Sequence, residues 1–290
     1  METIASPLET QKLCASWRAA GLKIGLVPTM GYLHAGHESL IVKALAESDR
    51  VVVSIFVNPT QFGPKEDLDK YPRDFQRDQS LCRSLGVSLI FAPSPDDMYP
   101  AGFATKVAVP SMAATLCGRN RPNHFDGVCL VCSKLFNVVG PRKAYFGLKD
   151  AQQYFVLARM VRDLNLDLEL VPCPTVREPD GLALSSRNAY LNEAERKAAT
   201  VLSRALDRAK GAALGGQRDP KALIDLIAAT VAEEPLARLE YAQVVATGDL
   251  ADVSADLSTI DGEILVAAAL WLGQTRLIDN FLFTPPEARR

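Results

Sequence analysis

The sequence contains no uninterrupted apolar run long enough to cross a bilayer, which needs about 20 residues. Its amino-terminal segment carries Glu2 and Glu9 and lacks the apolar core of a signal peptide. An excess of charge of one sign is also missing, because 32 Lys and Arg residues nearly balance 34 Asp and Glu residues. These absences argue against a helical membrane protein and a general nucleic-acid binder. We therefore expect a cytoplasmic protein with neither a membrane nor a nucleic-acid partner.

Cysteine and histidine are sparse as well. The six cysteines are scattered, and the C-x-x-C pair Cys129 and Cys132 lies in an apolar run with no second pair. We predict that the cysteines are buried free thiols, as expected in a reducing compartment. Any histidine-based site is limited to His34, His37 and His124, the three histidines of the chain.

The 290 residues suffice for one large domain or two modest ones. Up to about Thr175, short apolar runs rich in β-branched residues alternate with helical patterns, which is typical of a doubly wound parallel sheet. The predicted strands are Ile24–Val27, Val51–Val57, Val87–Phe91, Lys106–Val109, Lys143–Phe146 and Leu168–Val171. The predicted helices are 1–20, 38–46, 81–85, 127–139 and 151–164.

The pattern changes after Thr175. Helices are predicted over Glu193–Ala213 and Pro220–Glu233, and strands over Leu239–Val245 and Glu263–Leu270. The sequence thus predicts an α/β fold with two domains: a doubly wound, Rossmann-like domain over 1–175 and a smaller α+β domain over 176–290.

The segment Pro28–His37 connects a predicted strand to the start of a predicted helix. In α/β folds, the carboxyl end of a strand beside a helix N-terminus is where anions bind. Gly36 has no side chain, so a flat ring can lie on the backbone there. His34 and His37 are three residues apart and face the same side of a helical turn. Two imidazoles in this position can donate to a phosphate whose charge grows in a transition state.

Three further polar clusters follow predicted strands or lie in loops: Asn58–Gly63, Gly147–Asp150 and Leu184–Asn188. Each has a plain structural interpretation when taken alone. Gln61 is suited to capping a turn, Lys149 and Asp150 to a solvated pair, and Ser185–Arg187 to a surface loop. As functional groups they supply amides for a polar substrate, and hydroxyls and cations for phosphate. Their joint occurrence after the histidine pair favours the functional interpretation.

Ordered motifs extend from Pro28 to Asn280. They are Pro28–Gly31, His34–His37, Phe56–Phe62, Asp67–Arg73, Met98–Pro100, Arg121–Phe125, Phe146–Gln153, Asp180–Asn188 and Thr275–Asn280. Through these motifs the chain closely resembles the pantoate–β-alanine ligase family, which shares the His-x-Gly-His signature of adenylyl-transferring enzymes. The resemblance covers most of the chain and is far more specific than any single motif.

The resemblance implies a two-step ligation of pantoate and β-alanine. Pantoate and ATP, with Mg2+, give pantoyl adenylate and pyrophosphate, and the amine of β-alanine then gives pantothenate and AMP. It further implies a homodimer. A closing lid is useful because water hydrolyses an acyl adenylate, and the smaller C-terminal domain, next to the Ser185–Arg187 loop, is the candidate for that lid.

The resemblance also assigns roles to residues. The implied ATP-binding residues are Met30, Gly31, Tyr32, Leu33, His34, Ala35, Gly36, His37, Gly147, Leu148, Lys149, Asp150, Val176, Leu184, Ser185, Ser186 and Arg187. The implied catalytic residues are His37, as a proton donor, with His34 and Lys149. Pantoate is assigned to Gln61 and Gln153, and β-alanine to Gln61. Further site residues are implied at Asn58, Tyr71, Arg121 and His124, and no metal ligand is assigned.

One departure from the family pattern concerns Cys117, where many members carry an acid between the flanking Leu and Gly. Three other functions compete with the ligase. The three histidines could form an open catalytic zinc site of a hydrolase. A nucleotidylyltransferase would leave AMP on its product, and a non-catalytic nucleotide-binding module would bind ATP without turnover.

Overall fold

The computed structural model describes residues 1–64 and 66–285. By its contacts the chain divides into two compact units. The first comprises Met1–Val109, Arg121–Leu148 and Val156–Pro174, and the second comprises Pro110–Asn120, Lys149–Phe155 and the chain from Thr175 onward. The functional division into 1–175 and 176–290 stays a prediction, and residues 286–290 of the predicted second domain lie outside the described residues.

The first 174 residues contain the following elements in chain order: β1 (Glu2–Ile4), α1 (Pro7–Ala19), β2 (Ile24–Thr29), α2 (Ala35–Glu47), β3 (Arg50–Ile55), α3 (Phe75–Leu85), β4 (Leu89–Phe91), α4 (Pro95–Met98), α5 (Pro110–Ala113), α6 (Leu116–Asn120), α7 (His124–Val139), β5 (Lys143–Gly147), α8 (Ala151–Asp163) and β6 (Glu169–Cys173). Of these, α5, α6 and the start of α8 belong to the second unit.

The first unit is built on a six-stranded sheet in the order β1-β4-β3-β2-β5-β6. Every neighbouring pair is parallel, so all strands end at the same edge. Val51, Val52 and Val53 of β3 are fully buried, as expected for a β-branched strand covered on both faces. The predicted Rossmann-like α/β fold is therefore confirmed. Within the described residues, no helix is long and apolar enough to cross a membrane.

The rest of the second unit combines helices with an antiparallel sheet. Its elements are α9 (Glu193–Ala198), α10 (Thr200–Leu214), α11 (Pro220–Ala232), β7 (Ala237–Ala246), β8 (Ile264–Leu272) and β9 (Thr275–Phe283). The strand order is β7-β8-β9. The apolar faces of α10 and α11 form one hydrophobic core with β8 and β9. This arrangement agrees with the predicted small α+β fold.

The structure differs from the predicted elements at the start of the chain. Residues 2–4 were expected to be helical but form β1, in which Glu2 is paired with Leu89 of β4. The open edge of β4 supplies backbone partners that a sequence pattern cannot reveal. Lys106–Val109, predicted as a strand, is irregular and largely exposed. It joins neither sheet of the described structure, and Pro110 begins α5 directly after it.

Two further differences lie in the second unit. The single helix predicted over Glu193–Ala213 is divided at Ala199 into α9 and α10. The last strand, β9, was not predicted, because the polar residues Arg276, Asp279 and Asn280 interrupt its apolar pattern. The six cysteines are all buried and free, as predicted.

Helix α2 gives a direct test of this packing. Ile41 is fully buried in the core of the first unit, whereas the neighbouring Val42 is 50% exposed. We expect Ile41→Ala to lower the free energy of unfolding by about 2–5 kcal/mol, because it removes apolar contacts and leaves a cavity. Val42→Ala is the matched control on the same helix and should cost less than about 0.5 kcal/mol. Urea unfolding measures both, and equal losses would contradict the assigned core face of α2.

Candidate active site

The loop between β2 and α2, which with the first turn of α2 carries the predicted Met30–His37 site, has an unusual backbone. Gly31 and the non-glycine Tyr32 both have positive φ angles, 82° and 51°. The hydroxyl of Thr29 accepts a hydrogen bond from the Gly31 N–H (3.2 Å) and donates to the Ser54 carbonyl (2.7 Å). A bulky side chain is disfavoured at positive φ, so the loop needs support from outside its own sequence.

That support comes from Asp78 of α3, whose side chain is almost fully buried. Its two carboxylate oxygens accept one hydrogen bond each from the N–H groups of Tyr32 and Leu33, both at 2.7 Å. A side chain at Gly31 would crowd this carboxylate, since a Cβ there would lie 3.0 Å from Asp78 Oδ2. Burial raises the pKa of Asp78, although the two N–H donors act in the opposite direction. Asp78 therefore fixes the strained loop that precedes the histidine pair.

His34 and His37 together cap the N-terminus of α2. The Gly36 N–H donates to His34 Nδ1 (3.1 Å), and the His34 N–H donates to His37 Nδ1 (3.4 Å), which forms a reciprocal capping box. The two rings lie 4.1 Å apart between centroids. Because a backbone N–H can only donate, each neutral ring accepts at Nδ1 and carries its proton on Nε2. The cap thus sets both imidazoles in the tautomer that donates through Nε2.

The carboxyl end of β5 lies beside this helix start. β5 pairs with β2 in the parallel sheet, so Gly147 ends at the same edge as Thr29. The strand order reverses between β2 and β5, because the chain proceeds outward from β2 through β3 and β4 and then returns to add β5 and β6 on the other side. Such a switch point is where doubly wound sheets bind their ligands.

Gln61 ends a 3-10 turn, Pro59–Gln61, that follows β3 and is capped by Asn58. Asn58 is almost fully buried, and its amide is fully engaged. Its Oδ1 accepts from the Thr60 N–H (3.4 Å), the Thr60 hydroxyl (3.0 Å) and the Tyr99 hydroxyl (2.8 Å). Its Nδ2 donates to the Gly127 carbonyl (3.0 Å) and to Gln61 Oε1 (3.2 Å).

This network fixes which end of the Gln61 amide is available for a ligand. The Thr60 N–H can only donate and the Gly127 carbonyl can only accept, so the Asn58 amide has one possible orientation. Asn58 Nδ2 therefore meets Gln61 Oε1, and Gln61 Nε2 lies on the other side, 3.1 Å from the sulfur of Met30. Gln61 consequently presents N–H donors on the side of the predicted Met30–His37 site.

Helix α7 lies directly against this turn. A Cβ atom at Gly127 would collide with the backbone of Thr60 and Gln61, so only glycine permits the approach. The remaining predicted neighbour, Tyr71, is buried and packs edge-on against Phe62, with 6.0 Å between ring centroids.

His124 and Arg121 brace the Gln61 backbone. The Gln61 carbonyl accepts from His124 Nδ1 (2.8 Å), so this ring carries its proton on Nδ1 and Nε2 faces the Arg121 guanidinium (3.0 Å). Arg121 also forms two charged hydrogen bonds to Glu66. Burial raises the pKa of Glu66, but the hydrogen bonds and charge of Arg121 outweigh it and hold the pKa below its ordinary value.

This arrangement bears on the zinc alternative. Both ring nitrogens of His124 are engaged in hydrogen bonds, so His124 has no lone pair with which to act as the third ligand of a zinc ion. Among residues 1–64 and 66–285, no group of three or more His, Cys, Asp and Glu side chains is placed to hold a metal ion.

Except for Gly147 and Leu148 of the first unit, the other predicted ATP-binding residues belong to the second unit. The N–H of Leu184 donates to the Val176 carbonyl (3.0 Å), so these two predicted positions are joined by their backbones. Ser185 then caps a 3-10 turn, Ser186–Tyr190, by accepting from the Arg187 N–H (3.3 Å). Ser186 is buried and Arg187 is half-buried. The structure thus makes Val176 and Leu184–Arg187 one compact segment.

Lys149 and Asp150 end a 3-10 turn, Leu148–Asp150, that directly precedes α8. Both belong to the second unit, whereas Leu148 belongs to the first. Their side chains approach only to 3.9 Å, and the Lys149 side chain is 19% exposed. A weak contact of this kind does not account for a mostly buried lysine. Gln153 follows on α8 and is half-buried, whereas its neighbour Gln152 is occupied with the backbone of α5 and α6.

Cys117, the departure from the family pattern, lies in α6 of the second unit. Its sulfur is 3.0 Å from the Tyr241 hydroxyl and 3.5 Å from the Arg276 guanidinium, which Glu240 also binds. The side chain at 117 therefore contacts an arginine that already has one carboxylate partner.

Two residues of the site region were missed by the sequence analysis. Asp78 lies four residues before the buried Cys82 on the core-facing side of α3, and an acid at such a position was the available signal. Tyr99 was included in a motif without a role, and its contact with Asn58 spans 41 residues. No local pattern predicts a partner at that separation.

Comparison with known proteins now decides the family. A family model described as pantoate-beta-alanine ligase matches residues 2–282. The chain belongs to the pantoate-beta-alanine ligase family. The resemblance drawn from the motifs is confirmed, and the protein is a ligase of this family. The individual roles of its site residues stay predictions.

Individual members of the family match along almost their whole length. Pantothenate synthetase from Ruminiclostridium cellulolyticum is 51% identical over 285 residues, which cover 98% of this chain and 100% of that protein. The crystal structure of pantothenate synthetase from Thermus thermophilus matches with a TM-score of 0.89 at 44% identity, over 97% of this chain and 99% of that one. Pantoate-beta-alanine ligase from Francisella tularensis, crystallised with beta-gamma ATP and beta-alanine, matches with a TM-score of 0.78 at 35% identity over 97% of each chain.

The Glu66–Arg121 pair gives a pH-dependent prediction. The lowered pKa means that the Glu66 carboxylate stabilises the fold above its ordinary pKa of 4.5, and that this stabilisation is lost as the pH falls through the lowered value. We expect Glu66→Gln to lower the free energy of unfolding at pH 7 by about 1–2 kcal/mol, less than for a fully buried pair because Glu66 is partly exposed.

Urea unfolding of wild type and variant between pH 7 and pH 3 measures this effect. The difference between them should shrink below pH 4.5. Glu193→Gln is the control, because Glu193 pairs with Lys197 but is 87% exposed. A Glu66→Gln deficit that does not depend on pH would show that the carboxylate acts through packing alone.

Proposed function

We propose that this ligase condenses pantoate with β-alanine through a pantoyl adenylate. In the first step a carboxylate oxygen of pantoate attacks the α-phosphorus of ATP, and the bond to the bridging oxygen of pyrophosphate breaks. In the second step the amine of β-alanine attacks the acyl carbon, the bond to AMP breaks, and the amine loses a proton. The products are pantothenate, AMP and pyrophosphate.

The histidine cap of α2 is the observation that carries this proposal. Two imidazole Nε2–H donors and the positive end of a 13-residue helix converge at the carboxyl edge of the sheet. A carboxylate that attacks a polyphosphate meets like-charge repulsion, so donors must surround the phosphates. His37 is proposed to donate a hydrogen bond from its Nε2–H to the reacting phosphate, with His34 as its partner. The neighbouring residues from Met30 to Gly36 are proposed to bind the rest of ATP.

The orientation of Gln61 supports an acidic substrate. Its amide presents N–H donors toward the Met30 side, and these fit the carboxylate and hydroxyl oxygens of pantoate. β-Alanine also carries a carboxylate, which is consistent with the proposal that Gln61 serves both substrates. Gln153 is proposed as a second pantoate-binding amide. No cysteine or serine lies in a pattern that requires an acyl-enzyme.

In the second unit, Lys149 and Arg187 are proposed to supply cationic charge to the phosphates of ATP. Ser185 and Ser186 add hydroxyls, and Val176 and Leu184 contribute backbone groups. Gly147 and Leu148, which belong to the first unit, are also proposed to contribute backbone groups. Among residues 1–64 and 66–285, the mostly buried Lys149 side chain has one acid within ion-pair distance, Asp150 at 3.9 Å, and a bound anion would satisfy the rest of its charge.

Mg2+ is proposed to accompany ATP. Magnesium usually binds nucleotide phosphates together with one or two carboxylates and several waters, and the described residues offer no three-ligand cage. Asp150, whose side chain is half exposed, is the candidate carboxylate among the predicted ATP-binding residues. The ion would neutralise phosphate charge. The homodimer rests on the resemblance, the lid role of the C-terminal domain on the need to keep water from the adenylate, and the cytoplasmic location on the sequence composition; all three stay predictions.

Pyrophosphate exchange tests the proposed function. We expect labelled pyrophosphate to enter ATP when pantoate is present and β-alanine is absent, because the first step needs only ATP, pantoate and metal. AMP release should stay slow until the amine is added. Exchange that does not require pantoate would contradict this ligation, and a product that retains AMP would indicate a nucleotidylyltransferase.

His37 permits a test that separates catalysis from folding. His37→Glu keeps a side-chain acceptor for the capping box but has no N–H donor at neutral pH. We expect its free energy of unfolding to stay near that of wild type, while pyrophosphate exchange falls roughly 100-fold or more, the scale for losing a donor to developing charge. His37→Ala should lose both the cap and the activity. Near-normal exchange in a folded His37→Glu variant would exclude the catalytic role.

A further inference from the structure

The motif Thr275–Asn280 was noted in the sequence but has no role in the function proposed so far. In the structure it forms the first part of β9, and its last two residues are buried polar groups. Asp279 is 3% exposed and Asn280 is 9% exposed. Buried polar groups in a strand need partners, and those of Asp279 and Asn280 lie far away in the sequence.

Asp279 binds the segment that leads to Ser185 and Arg187. Its two oxygens accept from the two terminal nitrogens of Arg177, at 2.6 and 2.9 Å, which is the planar two-point geometry of an arginine–carboxylate pair. Arg177 also donates to the Gly181 carbonyl (3.1 Å). The same segment is closed by the backbone bond from Leu184 to Val176. One carboxylate on β9 therefore anchors the whole Val176–Leu184 turn.

Asn280 binds the backbone of the other predicted phosphate-binding cluster of this unit, Lys149–Asp150. Its Nδ2 donates to the main-chain carbonyl of Lys149 (2.9 Å). A carbonyl oxygen can only accept, so this contact needs the amide nitrogen and would be lost with a carboxylate at position 280. Asn280 thus fixes the backbone from which the Lys149 side chain extends.

The two contacts come from adjacent residues of one strand. Successive side chains of a strand leave it on opposite faces, so a single strand can hold two separate segments. β9 also packs against the 3-10 turn that contains Ser186 and Arg187. All of these residues belong to the second unit. We call Asp279, Asn280 and Arg177 the frame, because their contacts connect β9 to the two clusters, Lys149–Asp150 and Leu184–Arg187.

We propose that Asp279 and Asn280 are positioning residues that hold Lys149 and the Leu184–Arg187 segment in fixed register, so that both bind the same polyphosphate. This inference rests on the proposed function, since it takes ATP as the ligand of both clusters. A cation stabilises developing charge only where it is held in place, and a displacement of about 1 Å can cost roughly 100-fold in rate.

The two half-reactions distinguish positioning from general stability. ATP carries the β- and γ-phosphates that the two clusters are proposed to bind, whereas pantoyl adenylate has lost them as pyrophosphate. Damage to the frame should therefore weaken pantoate-dependent pyrophosphate exchange and spare the reaction of preformed pantoyl adenylate with β-alanine. A purely structural residue would affect both reactions in proportion to the loss of folded protein.

Two variants each weaken one contact of the frame. Arg177→Lys keeps the charge but removes the two-point contact with Asp279. Asn280→Asp replaces the donor to the Lys149 carbonyl by an acceptor in nearly the same volume. Asp225→Asn is the matched control, because it removes a carboxylate from an exposed ion pair with Lys221 on α11 of the same unit.

We expect both frame variants to raise the KM for ATP and lower pyrophosphate exchange roughly 10- to 100-fold, the range for misplaced binding groups. The adenylate-to-pantothenate step and the control should stay near wild type. Equal losses in both half-reactions, or no loss in either, would overturn the proposal.

Direct calorimetric titration with ATP separates this proposal from the function itself. Weakened ATP binding in both frame variants, with unchanged binding in Asp225→Asn, supports the frame even if the wild type shows no pantoate-dependent exchange. Unchanged ATP affinity in the frame variants overturns it, whatever the ligase assay shows.

Discussion

A buried carboxylate holds the loop that precedes the histidine pair of the first unit. Asp78 accepts from two consecutive backbone N–H groups of a loop that contains a non-glycine residue at positive φ. Without that acceptor, two buried donors would lack partners, each at a cost of about 1–3 kcal/mol. The loop sets where α2 begins, and the start of α2 sets the tautomers of His34 and His37. The chemistry of the histidines is thus determined by a residue on a different helix.

A similar logic applies to Gln61. Asn58 determines on which side the Gln61 amide presents its N–H groups. The orientation of Asn58 is in turn determined by the Gly127 carbonyl, which can only accept, and the Thr60 N–H, which can only donate. In both places an ambiguous side chain, an imidazole or an amide, is made unambiguous by contact with the main chain. Preorganised donors of this kind need no rearrangement when charge develops, which is the condition for electrostatic catalysis.

The sequence predicted the parallel sheet because β-branched runs such as Val51–Val53 and the helical spacing after His37 are local signals. It also predicted the order of the polar clusters, since strand ends are recognisable. It could not predict β1 or β9, because an edge strand depends on the edge that receives it. Nor could it give roles to Asp78, Tyr99 or Asp279, whose partners lie 45, 41 and 102 residues away. Contacts at such separations follow from the fold and leave no trace in spacing.

The close approach of α7 to the turn of Gln61 affects how natural variation in this protein is interpreted. Gly127 leaves no room between the helix and the Thr60 backbone, and its carbonyl orients Asn58. The neighbouring Val128 and Cys129 are buried core residues of the same helix. An exchange of apolar side chains there that shifts the helix also shifts the backbone and the amide of Gln61. Given the proposed role of Gln61, conservative changes in this buried helix belong with active-site variation when family members of different substrate affinity are compared.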